Sequence, residues 1–174
     1  MAEMQLGRAG GSMAERKPAA GGASTAATAL IFAWAGGAIT GNMIAAPAKF
    51  QAPSLTLPVA LDVGRAQFFW IGMAETACAC ALLLLLIAAR RLRSWPLAAA
   101  LALFALQQVW IMPLLDARTL AVIAGQPVPV SSLHLMYVVC EILKISCLIL
   151  AGALFARAPA ERGQIQFPLQ TEGQ

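Results

Sequence analysis

Four long stretches of apolar residues follow one another along the chain, at about residues 26–46, 66–89, 95–115 and 133–156. Each has the ~20 residues that an α-helix needs to cross about 30 Å of hydrocarbon. None alternates like a barrel strand, and a helix satisfies its backbone hydrogen bonds internally. The pattern predicts an all-α four-helix transmembrane bundle over residues 25–157, with a disordered cytoplasmic tail at 1–24 and a second cytoplasmic tail at 158–174.

Composition supports residence in a bilayer. Hydrophobic residues make up 60% of the 174 positions and charged residues only 11%, against about 25% charged residues in a soluble domain. The chain is too apolar for a disordered protein and presents no basic face for nucleic acid. Met-Ala-Glu occurs at 1–3 and again at 13–15, so Met1 and Met13 are alternative starts.

Basic residues predict the orientation. If the turn between the second and third stretches is cytoplasmic, eight basic residues lie inside and three lie outside, with Lys144 inside a stretch. Positive residues favour the cytoplasmic side, so we expect both termini in the cytoplasm. The Ala- and Leu-rich, Arg-tagged composition suggests a bacterial inner membrane. The eight inner residues are Arg8, Arg16, Lys17, Arg90, Arg91, Arg93, Arg157 and Arg162, and the outer ones are Lys49, Arg65 and Arg118.

The two outer connections, residues 47–65 and 116–132, are rich in proline and more apolar than most solvated loops. We expect them to fold back as short interfacial segments that form a lid over the bundle.

A weak internal repeat accompanies this topology. A shift of 66 residues superposes Asn42 on Gln108, Pro47 on Pro113, and Glu75 on Glu141. Each half then holds a rising span, a long outer connection and a descending span with a buried glutamate. The hypothesis is two parallel helical hairpins related by a pseudo-twofold axis along the membrane normal.

The fourth stretch carries a polar stripe of His134, Tyr137, Glu141 and Lys144, which are spaced 3, 4 and 3 residues apart and so share one helix face. An ionisable residue deep in a bilayer costs about 2.5–3.5 kcal/mol, so it rarely faces lipid. This stripe predicts a ligand or proton site. The alternative is that Glu141 and Lys144 neutralise each other and only orient the helix.

Glu75, in the second stretch, has no basic neighbour within a helical turn and needs a partner on another span. Lys144 is the natural candidate, with His134 and Tyr137 as alternatives. Two carboxylates that share one lysine resemble a proton or cation site, although such a network can also serve only to specify packing.

Three amides and two glycines complete the candidates. Asn42, Gln107 and Gln108 are expected to support the site or to hydrogen-bond between helices, and only one of the two adjacent glutamines can fully face the bundle centre. Gly37 and Gly41 are part of a ladder of small residues that favours close helix packing, either within the bundle or against another subunit.

We predict neither a metal nor a cofactor. Cys78, Cys80, Cys140 and Cys147 lie in apolar stretches, and their spacings match no usual metal motif. A single histidine excludes bis-histidine haem within one chain, and no catalytic signature appears.

The segments GNMIAAPAKF, GRAQFF and SSLHLMYVVCEILK resemble the transmembrane-protein-205-like proteins over roughly residues 26–156. This resemblance implies a four-span fold and a membrane location. The domain of that family has no assigned biochemical function, so no activity follows.

The leading functional hypothesis is a non-enzymatic multi-pass membrane protein whose buried polar site binds or translocates a small ligand or proton. One alternative is a structural or assembly subunit of a larger membrane complex, and a third is a quinone- or haem-linked oxidoreductase. The lipid bilayer is the expected partner. A small ligand or a membrane-protein partner is also considered, as is an oligomer, and no nucleic-acid partner is expected.

Overall fold

Four long helices form the protein. The computed structural model describes residues 20–88 and 94–157, and those ranges contain helices and no strand. Four helical segments are long and apolar enough to cross a membrane: span 1 (Gly22–Gln51), span 2 (Leu57–Ala88), span 3 (Trp95–Ile123) and span 4 (Leu133–Arg157). The predicted all-helical, four-span architecture is confirmed. The first helix already begins at Ala20, so residues 20–24 of the predicted disordered tail 1–24 are helical. Residues 1–19, the predicted tail 158–174, and the inner arginines at 90, 91 and 93 lie outside the described residues.

The bundle exposes large apolar side chains and buries ionisable ones, whereas a soluble protein keeps its charged residues at the surface. Trp70, Leu84 and Val109 are 70%, 68% and 79% exposed, whereas Glu141 and Lys144 are fully buried. Large apolar side chains on the surface of every span favour contact with hydrocarbon, and ionisable groups in a membrane face the interior. The four spans therefore indicate a multi-pass membrane protein.

Spans 1 and 3 each contain a π-helical segment. Span 1 runs from the α-helix Ala20–Ala38 through a π segment, Ile39–Ala45, into a short α turn, Ala46–Ala48, and a 3₁₀ turn, Lys49–Gln51. Span 3 joins the α-helices Trp95–Leu106 and Met112–Ile123 through the π segment Gln107–Ile111. Spans 2 and 4 are uninterrupted α-helices, Leu57–Ala88 and Leu133–Arg157.

A proline follows each π segment by two residues, Pro47 in span 1 and Pro113 in span 3. Proline has no N–H to donate, and its ring clashes with the carbonyl four residues earlier in an α-helix. A widened turn relieves that clash, because it moves the carbonyl away and lets bonds close five residues apart. In span 1, the N–H of Ala46 accordingly donates to the carbonyl of Gly41.

The bundle has three layers along its axis. Span 4 packs against spans 1 and 3, and span 2 also packs against spans 1 and 3, so the four helices form a ring. An apolar core fills the end where Ala20 and Arg157 lie, the middle holds buried polar groups, and the opposite end, at the connections 52–56 and 124–132 and here called the loop end, contains a cavity. The core comprises Ala27, Ile31, Trp34, Ala35, Ala79, Leu82, Leu86, Leu97, Ala100, Phe104, Leu148 and Ala151.

The connections at the loop end differ from the predicted lid of interfacial segments. Span 1 continues to Gln51, span 2 already begins at Leu57, and span 3 continues to Ile123. The apolar residues in these regions belong to helix extensions, which explains why they are more hydrophobic than solvated loops. After span 3 the chain turns at Gly125, whose φ of 72° favours glycine, and the guanidinium of Arg118 donates to the carbonyl of Pro129.

Two glycines lie where helices approach each other closely, and a third lies on an open surface. A Cβ on Gly41 would lie 2.6 Å from Cδ1 of Ile71, so span 1 meets span 2 closely within the bundle. A Cβ on Gly152 would lie 2.8 Å from Cζ of Phe32, where span 4 meets span 1. Gly37 is exposed, and nothing lies within 4 Å of a Cβ added there. The predicted glycine ladder is therefore divided between an inner contact and an open face.

Gly152→Leu should destabilise the bundle, because the new side chain must displace the Phe32 ring at a close helix crossing. Overpacking of this kind costs about 1–3 kcal/mol, which thermal unfolding in detergent will detect as a lower melting temperature. Gly37→Leu is the matched control and should leave the melting temperature nearly unchanged. Equal destabilisation by both substitutions would contradict the assigned packing.

Candidate functional site

Lys144 lies between two carboxylates in the middle of the bundle. Its Nζ is 2.6 Å from Oε1 of Glu75 on span 2 and 3.0 Å from Oε2 of Glu141 on its own span. Glu141 and Lys144 have no exposed surface, and Glu75 is 4% exposed. We call these three residues the central cluster. Glu75 thus has Lys144 as its partner across the bundle, as its isolation in the sequence predicted.

Three neutral side chains donate hydrogen bonds to the two carboxylates. Nε1 of Trp34 donates to Oε1 of Glu75 at 3.1 Å. Nδ2 of Asn42 donates to Oε1 of Glu141 at 3.0 Å, and Nε2 of Gln107 donates to Oε2 of Glu141 at 2.9 Å. All four spans therefore contribute to one hydrogen-bonded network.

The two amides that hold Glu141 both come from π segments. Asn42 lies within Ile39–Ala45 of span 1, and Gln107 begins Gln107–Ile111 of span 3. A π turn shifts the helix register and re-aims the following side chains, and such turns are frequent at functional sites. Here both shifts occur at the depth of the central cluster, so that spans 1 and 3 each direct one amide to Glu141.

Two buried acceptors remain open in this network. The side-chain oxygens Oδ1 of Asn42 and Oε1 of Gln107 have no hydrogen-bond partner, although their amide nitrogens bind Glu141. A buried polar atom without a partner costs about 1–3 kcal/mol. The network therefore contains two oxygens that can each accept a further hydrogen bond.

Formal charges in the central cluster do not balance. Two carboxylates meet one ammonium, and the other donors, Trp34, Asn42 and Gln107, are neutral. The next contact of Lys144 is the ring of Phe104, whose centroid lies 5.5 Å from Nζ. With both glutamates ionised, these contacts leave one negative charge uncompensated in the membrane interior.

A cavity of about 250 Å³ lies directly beside the network, towards the loop end. Asn42 and Tyr137 line it, whereas the three central-cluster residues do not. Its wall draws on all four spans and comprises Asn42, Met43, Ala46, Pro47, Lys49, Phe50, Leu61, Gly64, Arg65, Phe68, Met112, Leu115, Asp116, Thr119, His134, Tyr137 and Val138. Asn42 and Tyr137 thus stand between the cavity and the ion cluster.

The structure brings most of the predicted site residues together and places His134 elsewhere. Glu75, Glu141 and Lys144 form the central cluster, and the supporting amides Asn42 and Gln107 bind it. His134 is exposed at the loop end and lines the cavity instead.

The other two predicted residues differ in their contacts. Tyr137 is 4% exposed, its hydroxyl interacts with the carboxylate of Glu141, and its ring meets that of Phe68 edge-on at 5.5 Å. Gln108 is half-buried against Gly72 of span 2, so Gln107 is the glutamine that faces the centre.

Sequence reasoning missed Trp34, which donates to Glu75. In an apolar stretch a tryptophan counts as hydrophobic, and only its indole N–H, which normally finds a partner when buried, offered a signal. It also missed the ion pair between Nε of Arg65 and Oδ1 of Asp116, 2.6 Å apart. Those two residues lie on spans 2 and 3, so no spacing within one helix reveals the pair.

Metal-binding chemistry finds no support in the described ranges, where no three His, Cys, Asp or Glu side chains are grouped so as to hold a metal ion. None of the four cysteines there is part of a disulfide.

Comparison of the chain with known protein families, characterised proteins and solved structures gives no match. The resemblance to the transmembrane-protein-205-like proteins therefore stays a prediction.

Lys144→Met should strongly destabilise the bundle, because it leaves two carboxylates buried without a cation. Removal of one partner of a buried ion pair typically costs about 3–5 kcal/mol. Neutralising the carboxylates as well, in the triple variant E75Q/E141Q/K144M, should recover much of the loss. Melting temperatures in detergent measure both effects, and a triple variant no more stable than Lys144→Met would contradict the assigned cluster.

Proposed function

We propose that this protein is a non-enzymatic multi-pass membrane protein whose buried polar site binds an exchangeable proton. Of the two ligands considered, a proton or a small molecule, the geometry of the central cluster favours the proton. The cluster residues are 0–4% exposed and none of them lines the cavity, so a molecule has no room there, whereas a proton needs none.

The observation that carries this proposal is the unequal charge around Lys144: two carboxylates share one ammonium at 2.6 and 3.0 Å. A charge taken out of water into a membrane interior costs several kcal/mol unless it is compensated. One bound proton makes the cluster neutral. Because the carboxylates interact through the same lysine, the proton belongs to the pair and not to either glutamate alone.

A polar path to water supports proton exchange. Asn42 binds Glu141 and lines the cavity, where Tyr137 and His134 provide further hydrogen-bonding groups towards the loop end. We place the loop end on the outer side of the membrane and both termini in the cytoplasm, following the distribution of basic residues. A bacterial inner membrane is the proposed location.

The pseudo-twofold hypothesis gives this site a simple origin. The π segments Ile39–Ala45 and Gln107–Ile111 overlap when the chain is shifted by 66 residues, as do Pro47 and Pro113. Glu75 and Glu141 superpose at the same shift and share Lys144. We propose that two related hairpins each supplied one carboxylate, and that the single lysine breaks the symmetry.

Infrared spectroscopy tests the proton directly. The wild-type protein in lipid nanodiscs at neutral pH should show the carbonyl stretch of a buried carboxylic acid. Glu75→Gln and Glu141→Gln should each abolish this band, because one remaining carboxylate balances Lys144 without a proton. Asp62→Asn is the control, since the Asp62 side chain is 69% exposed and should leave the band in place.

Two results would contradict the proposal. One is a wild-type spectrum without a carboxylic-acid band under conditions in which the protein is folded. The other is a band that persists in both glutamine variants. Melting temperatures of the variants, recorded in the same nanodiscs, confirm that the spectra compare folded proteins.

A structural or assembly subunit is the second candidate, favoured by the exposed and open surface at Gly37. In this role the central cluster would only fix the packing of the four spans. Purification of the full chain from its membrane in mild detergent should then bring a stoichiometric partner that is lost in Gly37→Leu. Purification as a single chain would argue against this role.

A further inference from the structure

The cavity at the loop end combines apolar walls with charged groups. Met43, Phe68 and Leu115 are among its apolar lining residues. The positively charged residues in its wall are Lys49 and Arg65, and the acidic residue is Asp116. The chemistry of a ligand therefore depends on which of these charges is already balanced.

Arg65 is fully engaged by carboxylates. Its Nε and Nη2 donate to the two carboxylate oxygens of Asp116 at 2.6 and 3.4 Å. Its Nη1 donates to Oδ1 of Asp62 at 3.4 Å. The guanidinium is shared by Asp116 and by Asp62, whose side chain is 69% exposed, so Arg65 offers no free positive charge to a ligand.

Lys49 has no such partner. It takes part in none of the ion pairs of the described residues. Its Nζ donates to Oε1 of Gln67 at 3.4 Å and lies 5.2 and 5.3 Å from the ring centroids of Phe50 and Phe68. All three contacts are neutral, so the half-buried ammonium still lacks an anion.

Gly64 provides the space that Lys49 occupies. A Cβ on Gly64 would overlap Nζ of Lys49 and lie 3.1 Å from its Cε. Both residues line the cavity, and Gly64 itself is buried. The ammonium is therefore held at the cavity wall between spans 1 and 2, where an anion inside the cavity would meet it.

We propose that this cavity binds a single-chain amphipathic carboxylate, such as a fatty-acid anion. The carboxylate would pair with Lys49, His134 in the same cavity wall offers a further polar group, and the apolar walls would take the adjoining part of the chain. The volume of about 250 Å³ lies below the ~300–1,000 Å³ of pockets for drug-sized ligands. That size favours one head group and part of one chain over a two-chain phospholipid.

Photolabelling of the full chain in phosphatidylcholine nanodiscs tests this proposal. The probe is palmitate that carries a diazirine in its chain, with labelled residues mapped by mass spectrometry. We expect labelling within the cavity wall, and competition by palmitate. Lys49→Met should reduce labelling by about tenfold or more, because a charge-assisted hydrogen bond is lost.

One cavity-filling variant and one control separate this site from general attraction to the membrane surface. Val138→Phe should reduce labelling by filling the cavity while Lys49 remains. Arg118→Gln removes a positive charge near the same end but outside the cavity wall, and should leave labelling unchanged. The carboxylic-acid band is recorded on the same nanodiscs, so failure of the proton proposal and failure of this one are distinguishable.

Competitors identify the ligand class. Methyl palmitate has the same chain without the charge, so competition equal to that of palmitate would overturn the pairing with Lys49. Phosphatidylglycerol that competes where palmitate does not would assign the cavity to a phospholipid head group and overturn the size argument. Equal labelling of wild type and folded Lys49→Met would overturn the site itself.

Discussion

The ion cluster around Lys144 is the constraint on which the rest of the bundle depends. An ammonium and two carboxylates at 0–4% exposure are tolerable in a membrane only if each is paired and hydrogen-bonded. The partners come from every span: Glu75 from span 2, Glu141 and Lys144 from span 4, Asn42 from span 1 and Gln107 from span 3. Apolar helix surfaces pack in many ways, so this shared requirement is what selects one arrangement of the four helices.

The two layers on either side of the cluster differ in how tightly they are packed. Away from the loop end, Trp34 and Phe104 meet edge-on at 5.4 Å and are part of an apolar core. Towards the loop end, the widened turns before Pro47 and Pro113 change the helix register, and a cavity remains between the spans. The prolines thus connect two features of the site, because the same turns that direct amides to Glu141 mark the boundary between packed core and cavity.

Much of the fold and part of the site could be predicted from the sequence. Span number followed from the length of the apolar stretches, and the pairing of Glu75 with Lys144 followed from the cost of an isolated charge in hydrocarbon. The choice between Gln107 and Gln108 could not be made, because adjacent residues differ by about 100° and a π turn changes that angle. His134 shares the helix face of Glu141, yet it lies outside the cluster because the spans enclose a cavity at its level.

The sequence by itself determined the class of protein and the few ionisable residues whose burial in a membrane is energetically costly. Hydrophobic length and the scarcity of charge are properties of each segment alone, so they need no knowledge of how the segments meet. The tertiary structure decided which polar groups act together: Trp34 binds Glu75, two amides bind Glu141, and Lys49 lies at the cavity wall with no carboxylate of the described residues bound to it. These relations join residues on different helices, and hydrogen bonds depend on distances of about 3 Å that only the assembled bundle fixes.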